Sequence, residues 1–125
     1  MPMDLQPELD PHLYCFVTVP EGYRARQISE FSVASVLEGE GWSFVLPLEV
    51  VKSYFLPVGL PQRRIVLKAR SVPEGAALAA AVPGMLARAG IACNWVAAFH
   101  RDYVFVPEDR ADEALAILRG GQEAS

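Results

Sequence analysis

The spacing of apolar and polar residues predicts a mixed α+β chain. The first half predicts a strand, a β-hairpin and a short helix, at residues 14–19, 31–46 and 47–55. The turn of the hairpin is Glu38-Gly39-Glu40-Gly41, which contains two residues able to adopt positive φ. Residues 21–30 are polar and show no helical stripe, so no helix is predicted there.

The second half has a clearer pattern. It predicts strand, helix, strand, strand and helix, at residues 64–69, 78–89, 91–99, 103–106 and 111–118. Pro83 predicts a kink or a broken first turn in the first of these helices, and Gly90 suits its C-terminus. Gly120-Gly121 should end the last helix. This order is that of a ferredoxin-like unit without its last strand, and we expect residues 14–19 to fill the open edge.

The domain organisation follows from these elements. Residues 1–12 are polar, contain prolines and have no period, so they predict a loose N-terminal arm. Residues 13–62 predict the N-terminal strand and a truncated copy of the unit, and residues 63–120 predict the strand-helix-strand-strand-helix unit itself.

Composition limits the classes of partner. The 125 residues are 52% apolar and 21% charged with a net charge of −4, which indicates one globular core rather than disorder. An acidic chain is a poor nucleic-acid binder, and we interpret the basic stretch at residues 63–70 as the solvated face of a strand. No apolar run could span a membrane and no signal core follows Met1, so we expect no membrane partner and a cytoplasmic location.

Catalytic and metal motifs are not found in the sequence. Cys15 and Cys93 lie in apolar stretches and predict buried reduced thiols, and no metal-binding or cofactor motif is present. His100-Arg101-Asp102 is similar to a kinase catalytic loop, but Pro107 stands where that loop needs Asn. We therefore expect no enzyme, no metal and no cofactor, with His100 and Asp102 capping the hairpin turn.

The motif from Gly90 to Pro107, GIACNWVAAFHRDYVFVP, resembles the second ACT unit of small bacterial ACT domain-containing proteins of unknown function. A weaker match lies at residues 8–11, the strand that follows and Glu40-Gly41-Trp42. These proteins resemble the paired ACT units of aspartokinase regulatory domains. The resemblance implies a ferredoxin-like ACT fold with two intertwined ACT-like units, the first one truncated. Separately, two sheets with exposed edges and 52% apolar residues predict a homodimer.

The resemblance also implies a ligand site, because ACT units commonly bind amino acids at an interface between units. The residues that match this site are Ser71, Val72, Pro73, Glu74, Gly75, Ala76 and Asn94. The turn before the helix could hold a carboxylate on free N–H groups, and the Asn94 amide, which we expect to be buried, could bind polar groups of the ligand. Both features have a purely structural alternative, a capping turn and an amide bonded to that turn. The sequence departs from the family pattern at Val72-Pro73, and at Tyr103 where the family has His.

The function that follows is binding of a small metabolite, most simply an amino acid, by a regulatory domain without catalysis. The alternative is an assembly module that keeps the ACT fold for dimerisation and binds no ligand. A polar, accessible pocket around Gly75 and Asn94 would favour binding, and a filled apolar turn would favour assembly.

Overall fold

Six strands and four α-helices form from the alternating and helical patterns of the chain. The computed structural model describes residues 5–68 and 75–124, except for the side chains of residues 75–80 and 121–124. The elements are β1 (Pro7–Val19), α1 (Tyr23–Ser29), β2 (Ala34–Glu38), β3 (Gly41–Pro47), α2 (Leu48–Ser53), β4 (Gln62–Leu67), α3 (Gly75–Arg88), β5 (Asn94–Ala97), β6 (Asp102–Pro107), a 3₁₀ turn (Glu108–Arg110) and α4 (Ala111–Ala124). The strands are hydrogen-bonded in the order β2-β3-β1-β4-β6-β5.

The chain divides into two compact units. The first unit is His12–Pro61, and the second unit is Met1–Pro11 together with Gln62–Ser125. Strand β1 therefore contributes to both units, with the boundary between Pro11 and His12. The expected loose arm over residues 1–12 is wrong from Leu5 onward, since Leu5 is fully buried and β1 begins at Pro7.

The first unit contains β1 from His12, α1, β2, β3 and α2. Strands β1 and β3 pair antiparallel, so that Cys15, Val17 and Val19 lie opposite Leu46, Phe44 and Trp42 and share one face with them. This face packs on the helices in a core made of Cys15, Val19, Ala25, Ile28, Phe44, Leu46, Val51 and Leu56. The predicted hairpin is confirmed, with Glu38 paired to Gly41 across its turn.

Helix α1 was not predicted, and its presence corrects the expectation of a truncated first copy. The helix is seven residues long and buries only Ala25 and Ile28. Two buried positions three residues apart are too few for a periodic pattern, so the stability of this helix comes from packing rather than propensity. The first unit thus has the order β-α-β-β-α, the same order as β4-α3-β5-β6-α4.

The second unit packs α3 and α4 on one face of its strands. Strand β6 pairs antiparallel with both β4 and β5, which leaves β5 with one neighbour at the edge. The core contains Leu5, Ile65, Leu67, Val82, Leu86, Ile91, Val104, Val106, Ala111, Ala114 and Leu118. Val104 and Val106 face these helices, so Tyr103 and Phe105 lie on the opposite face.

Residues just before and at the start of β1 complete the second unit. Leu5 is in its core and Leu9 packs against it. The guanidinium of Arg64 donates to Asp10 Oδ2 from Nε at 3.0 Å and from a terminal nitrogen at 2.6 Å. Residues 14–19, predicted to fill the edge beside the second unit's strands, instead pair with β3, and β1 as a whole neighbours β4 in the strand order.

Three element boundaries differ from the prediction. Helix α3 continues through Pro83, because Val82 and Leu86 are fully buried and their packing outweighs the lost hydrogen bond. Helix α4 continues through Gly120 and Gly121, since glycine weakens a helix without forbidding it. Strand β5 covers only Asn94–Ala97 of the predicted 91–99, as expected of a strand paired on one side.

The hairpin turn of the first unit supplies a first test. Gly41 has φ of +133°, and a Cβ on it would lie 2.7 Å from the carbonyl oxygen of Val19. We expect Gly41→Ala to lower the free energy of unfolding by about 1–3 kcal/mol, because backbone atoms cannot move aside easily. Gly39→Ala is the control, since a Cβ there meets no atom within 4 Å. Equal urea midpoints for the two variants would contradict this account of the turn.

The N-terminal residues supply a second test. We expect Leu5→Ala to cost about 2–5 kcal/mol, because it removes a fully buried side chain from the core of the second unit. Leu60→Ala, at a side chain that is 62% exposed, should stay within about 0.5 kcal/mol of the parent protein. Urea unfolding measures the free energy of unfolding of both variants. If Leu5→Ala leaves it unchanged, the interpretation of residues 1–12 as a loose arm is correct.

Candidate functional site

The predicted ligand site lies at the start of α3. Of its residues, Ser71, Val72, Pro73 and Glu74 lie outside the residues that the structure describes. Gly75 is the first residue of α3 and Ala76 the second. The 14-residue helix has no acidic residue in its first turn. The free N–H groups and the positive end of the helix dipole are therefore not neutralised from within the helix itself, which suits an anionic group.

Asn94 does not lie where the sequence predicted. The expectation of a buried amide is wrong: Asn94 is exposed at the start of the edge strand β5. It pairs with Phe105, so its side chain lies on the face away from α3 and α4, and the following residue Trp95 packs against the core instead. Within one chain, the strand therefore directs Asn94 away from the helix layer that contains Gly75.

Asp102 is the polar residue that the structure places on the helix side. Its cross-strand partner Leu67 is in the core, and Val104, two residues along β6, is too. The side chain is only 3% exposed, and Oδ1 has no hydrogen-bond partner among the residues that the structure describes. The hairpin cap expected of Asp102 is thus not formed by this oxygen, and the turn is closed by the Ala98 N–H donating to the Arg101 carbonyl at 3.2 Å.

A signal for Asp102 was present in the sequence. Asp102, Val104 and Val106 alternate with Tyr103 and Phe105, so the aspartate stands in phase with two core valines. The predicted strand began at Tyr103 and left Asp102 in the turn. Neighbouring His100 is exposed, and its ring meets the 89%-exposed ring of Phe99 edge-on at 5.0 Å between centroids.

The basic stretch on β4 is paired within the second unit. Arg64 binds Asp10 and lies 5.1 Å from the centre of the Tyr103 ring, and Arg63 Nε donates to the Asp10 carbonyl at 2.9 Å. Lys68 lies 2.9 Å from the Glu8 carboxylate. The interpretation as a solvated face is wrong for Arg64, whose side chain is 22% exposed. Internal pairing leaves these cations poorly placed to bind phosphates.

Gln62 adds a second buried polar atom without a partner. Its Oε1 makes no hydrogen bond to any residue within the described ranges. Gln62 is the first residue of β4 and is two positions from Arg64, on the face away from the helices. It is thus distant in register from Asp102, which is at the other end of β6.

Burial disfavours the thiolate form of both cysteines. Both are free, Cys15 in the first unit and Cys93 in the second. Burial raises the pKa of both thiols, which favours the neutral form and lowers nucleophilicity at physiological pH. In the described part of the chain, no three His, Cys, Asp or Glu side chains cluster as metal ligands would. None of the helices described is both long and apolar enough to cross a bilayer.

The fold is shared with proteins of known structure. An Agrobacterium tumefaciens protein is 16% identical, with a TM-score of 0.67 over 89% of this chain and 82% of that one. The regulatory subunit of aspartate kinase from Thermus thermophilus, in its ligand-free form, is 17% identical, with a TM-score of 0.49 over 90% and 93% of the two chains. No protein-family model and no curated protein matches the chain.

A protein of unknown function from Vibrio cholerae, described as a possible transport protein, is more similar. It is 32% identical to this chain, and the two structures superpose with a TM-score of 0.83. The match covers 92% of this chain and 87% of the Vibrio protein. The chain therefore belongs to the same family as this Vibrio cholerae protein.

Proposed function

We propose that the chain is a cytoplasmic regulatory domain of the ACT type that binds a small metabolite, most simply an amino acid, and performs no covalent chemistry. The observation that carries the proposal is the repeated order β-α-β-β-α. In the second unit the strands lie in the order β1-β4-β6-β5, in which the second and third strands of the repeat are neighbours at one edge. With β1 counted as its last strand, this order supports the proposal of a ferredoxin-like unit.

The proposed binding element is the start of α3. The N–H groups of Gly75 and Ala76, which have no partner within the helix, would donate to the carboxylate of an amino acid at the positive end of this 14-residue helix. Ser71, Val72, Pro73 and Glu74 precede it in sequence and belong to the proposed site through the family resemblance. Binding would act by favouring one packing of the domain over another, so that the metabolite concentration sets the population.

Asn94 enters the proposal through a second copy of the chain. Its exposed amide lies on an edge strand and on the face away from α3, so its own helix cannot share a ligand with it directly. Where two copies of the chain meet, the amide of one can reach a ligand held by the other. This arrangement agrees with the family resemblance, which implies a site at an interface between units.

An assembly module without a ligand is the second candidate, and a surface feature favours it. Nine of the ten large apolar side chains that are exposed in the described residues belong to the first unit. Two of them, Val36 (60% exposed) and Leu37 (52%), lie on the edge strand β2 and point to opposite faces. An exposed apolar edge without proline or lysine invites pairing with another strand.

A ligand screen tests the binding proposal. We expect at least one proteinogenic L-amino acid, supplied singly at millimolar concentration, to raise the melting temperature by mass action. Gly75→Ala should then weaken binding of that amino acid in calorimetric titration, because a β-carbon crowds the approach to the N–H groups. Asn94→Ala should weaken it as well, by about 1–3 kcal/mol if a polar group loses its partner.

The controls for this experiment are built into the chain. Gly120→Ala, in α4, adds a β-carbon with nothing within 4 Å and should leave affinity unchanged. Circular dichroism should show both site variants to be folded. If both bind as tightly as the parent protein, the pocket lies elsewhere; if no amino acid stabilises the parent, the assembly module becomes the better proposal.

A separate measurement tests assembly. We expect a homodimer by light scattering at micromolar concentration, and Val36→Lys should produce a monomer, because a lysine on an edge strand blocks pairing. The control is Phe99→Lys, which places the same charge at an 89%-exposed position outside the first unit. A parent protein that is monomeric at high micromolar concentration, or a Val36→Lys variant that remains dimeric, would exclude pairing through β2.

A further inference from the structure

We propose that Asp102 is the cation-binding group of a ligand site at the N-terminus of α3, and that the site selects molecules carrying an ammonium group beside a carboxylate. The inference rests on the proposed function and names the chemical class of its ligand. It starts from an unusual feature: Asp102 is only 3% exposed, and its Oδ1 has no hydrogen-bond partner in the described part of the chain.

The strand register places this carboxylate on the helix side. Asp102 is opposite Leu67 on β4 and Ala97 on β5, and it alternates in phase with Val104 and Val106. Leu67 and both valines contact the core that includes Val82 and Leu86 of α3. The Asp102 side chain is therefore directed into the layer that α3 occupies.

The register also places the carboxylate at the correct end of β4. Leu67 is the last residue of β4, and the chain next forms a helix at Gly75. Asp102 pairs with this last residue, so it stands at the end of the sheet from which the chain leaves toward α3. The carboxylate and the helix N-terminus thus belong to the same end of the same layer.

The two groups have opposite chemistry. The N-terminus of α3 has no acidic residue in its first turn and favours an anion, whereas the Asp102 carboxylate, whose Oδ1 has no hydrogen-bond partner among the described residues, favours a cation. A zwitterionic α-amino acid supplies both charges on adjacent atoms. A carboxylate kept buried without a partner costs stability, and such costs persist where a ligand supplies the missing partner.

The unliganded protein provides the first arm of the test. We expect Asp102→Asn to raise the melting temperature by about 2–6 °C, because it removes an unpaired buried charge at nearly constant volume. Asp109→Asn, at an exposed carboxylate on the 3₁₀ turn, is the control and should leave the melting temperature unchanged. A fall for Asp102→Asn would show that the carboxylate has a structural partner and would overturn the inference.

The second arm measures ligand recognition, using the L-amino acid that most raises the melting temperature of the parent protein. We expect Asp102→Asn to weaken its binding about tenfold to a hundredfold in calorimetric titration, as for loss of a charge-assisted hydrogen bond. The N-acetyl derivative of the same amino acid, which keeps the carboxylate and lacks the ammonium, should not bind the parent protein. Asp109→Asn should bind as the parent does.

The outcomes separate the two proposals. An amino acid that binds the parent and the Asp102→Asn variant equally, or an N-acetyl derivative that binds as well as the free amino acid, would overturn the role of Asp102 and leave the proposed function standing. Failure of every amino acid to stabilise the parent protein would instead overturn the proposed function, and this inference with it.

Discussion

The segment from Leu5 to Pro11, which leads into β1 and forms its first residues, is the element on which the second unit depends. It supplies Leu5 to the core and the carboxylate of Asp10 to Arg64, 54 residues away in sequence. Arg64 is only 22% exposed and lies against the Tyr103 ring, so its charge is partly buried, and the Asp10 carboxylate compensates it. The Asp10–Arg64 pair adds little net stability, but removing one partner lowers stability because a buried charge is left behind. This cost favours the position of β1 beside β4.

The same strand then changes role. From His12 onward β1 belongs to the first unit, where Cys15, Val17 and Val19 pair with β3 residues. A strand of 13 residues is long for a chain of this size, and its length lets one segment serve two cores. Each unit has the order β-α-β-β-α, one strand short of a ferredoxin-like unit, so a shared or neighbouring strand must cover an edge in each.

The elements that could be predicted from sequence are those whose apolar pattern is local. The β2–β3 hairpin has a clear turn, and α4 has regular buried positions at Ala111, Ala114 and Leu118. The hairpin and the start of α4 were predicted within a few residues, whereas the end of α4 was not. Residues 7–11 could not be predicted as a strand, because two prolines and two acidic residues interrupt the pattern and their partners lie on β4. Helix α1 was not predicted for a related reason, because it is stabilised by the tertiary packing of two side chains.

The candidate site shows how strongly register controls such predictions. Starting β6 at Tyr103 rather than Asp102 hid an inward-facing carboxylate, and treating Asn94 as buried assigned an outward-facing amide to the inner face. In a strand, a difference of one residue reverses the face of each side chain. The start of α3 was less sensitive: a turn followed by helical spacing predicted the helix from residue 78 without any reference to register, and α3 begins three residues earlier, at Gly75.

The inner and outer faces have different consequences for regulation. A ligand held by Asp102 and α3 would add contacts within the layer where Val82 and Leu86 pack on the strands, so its binding energy would stabilise that packing directly. A ligand held by Asn94 would act on the exposed edge of the second unit and thus on association with another chain. A metabolite bound by α3 of one copy and by Asn94 of another would couple packing to assembly. A regulatory domain requires such coupling, because a ligand changes only those equilibria whose two states it binds unequally.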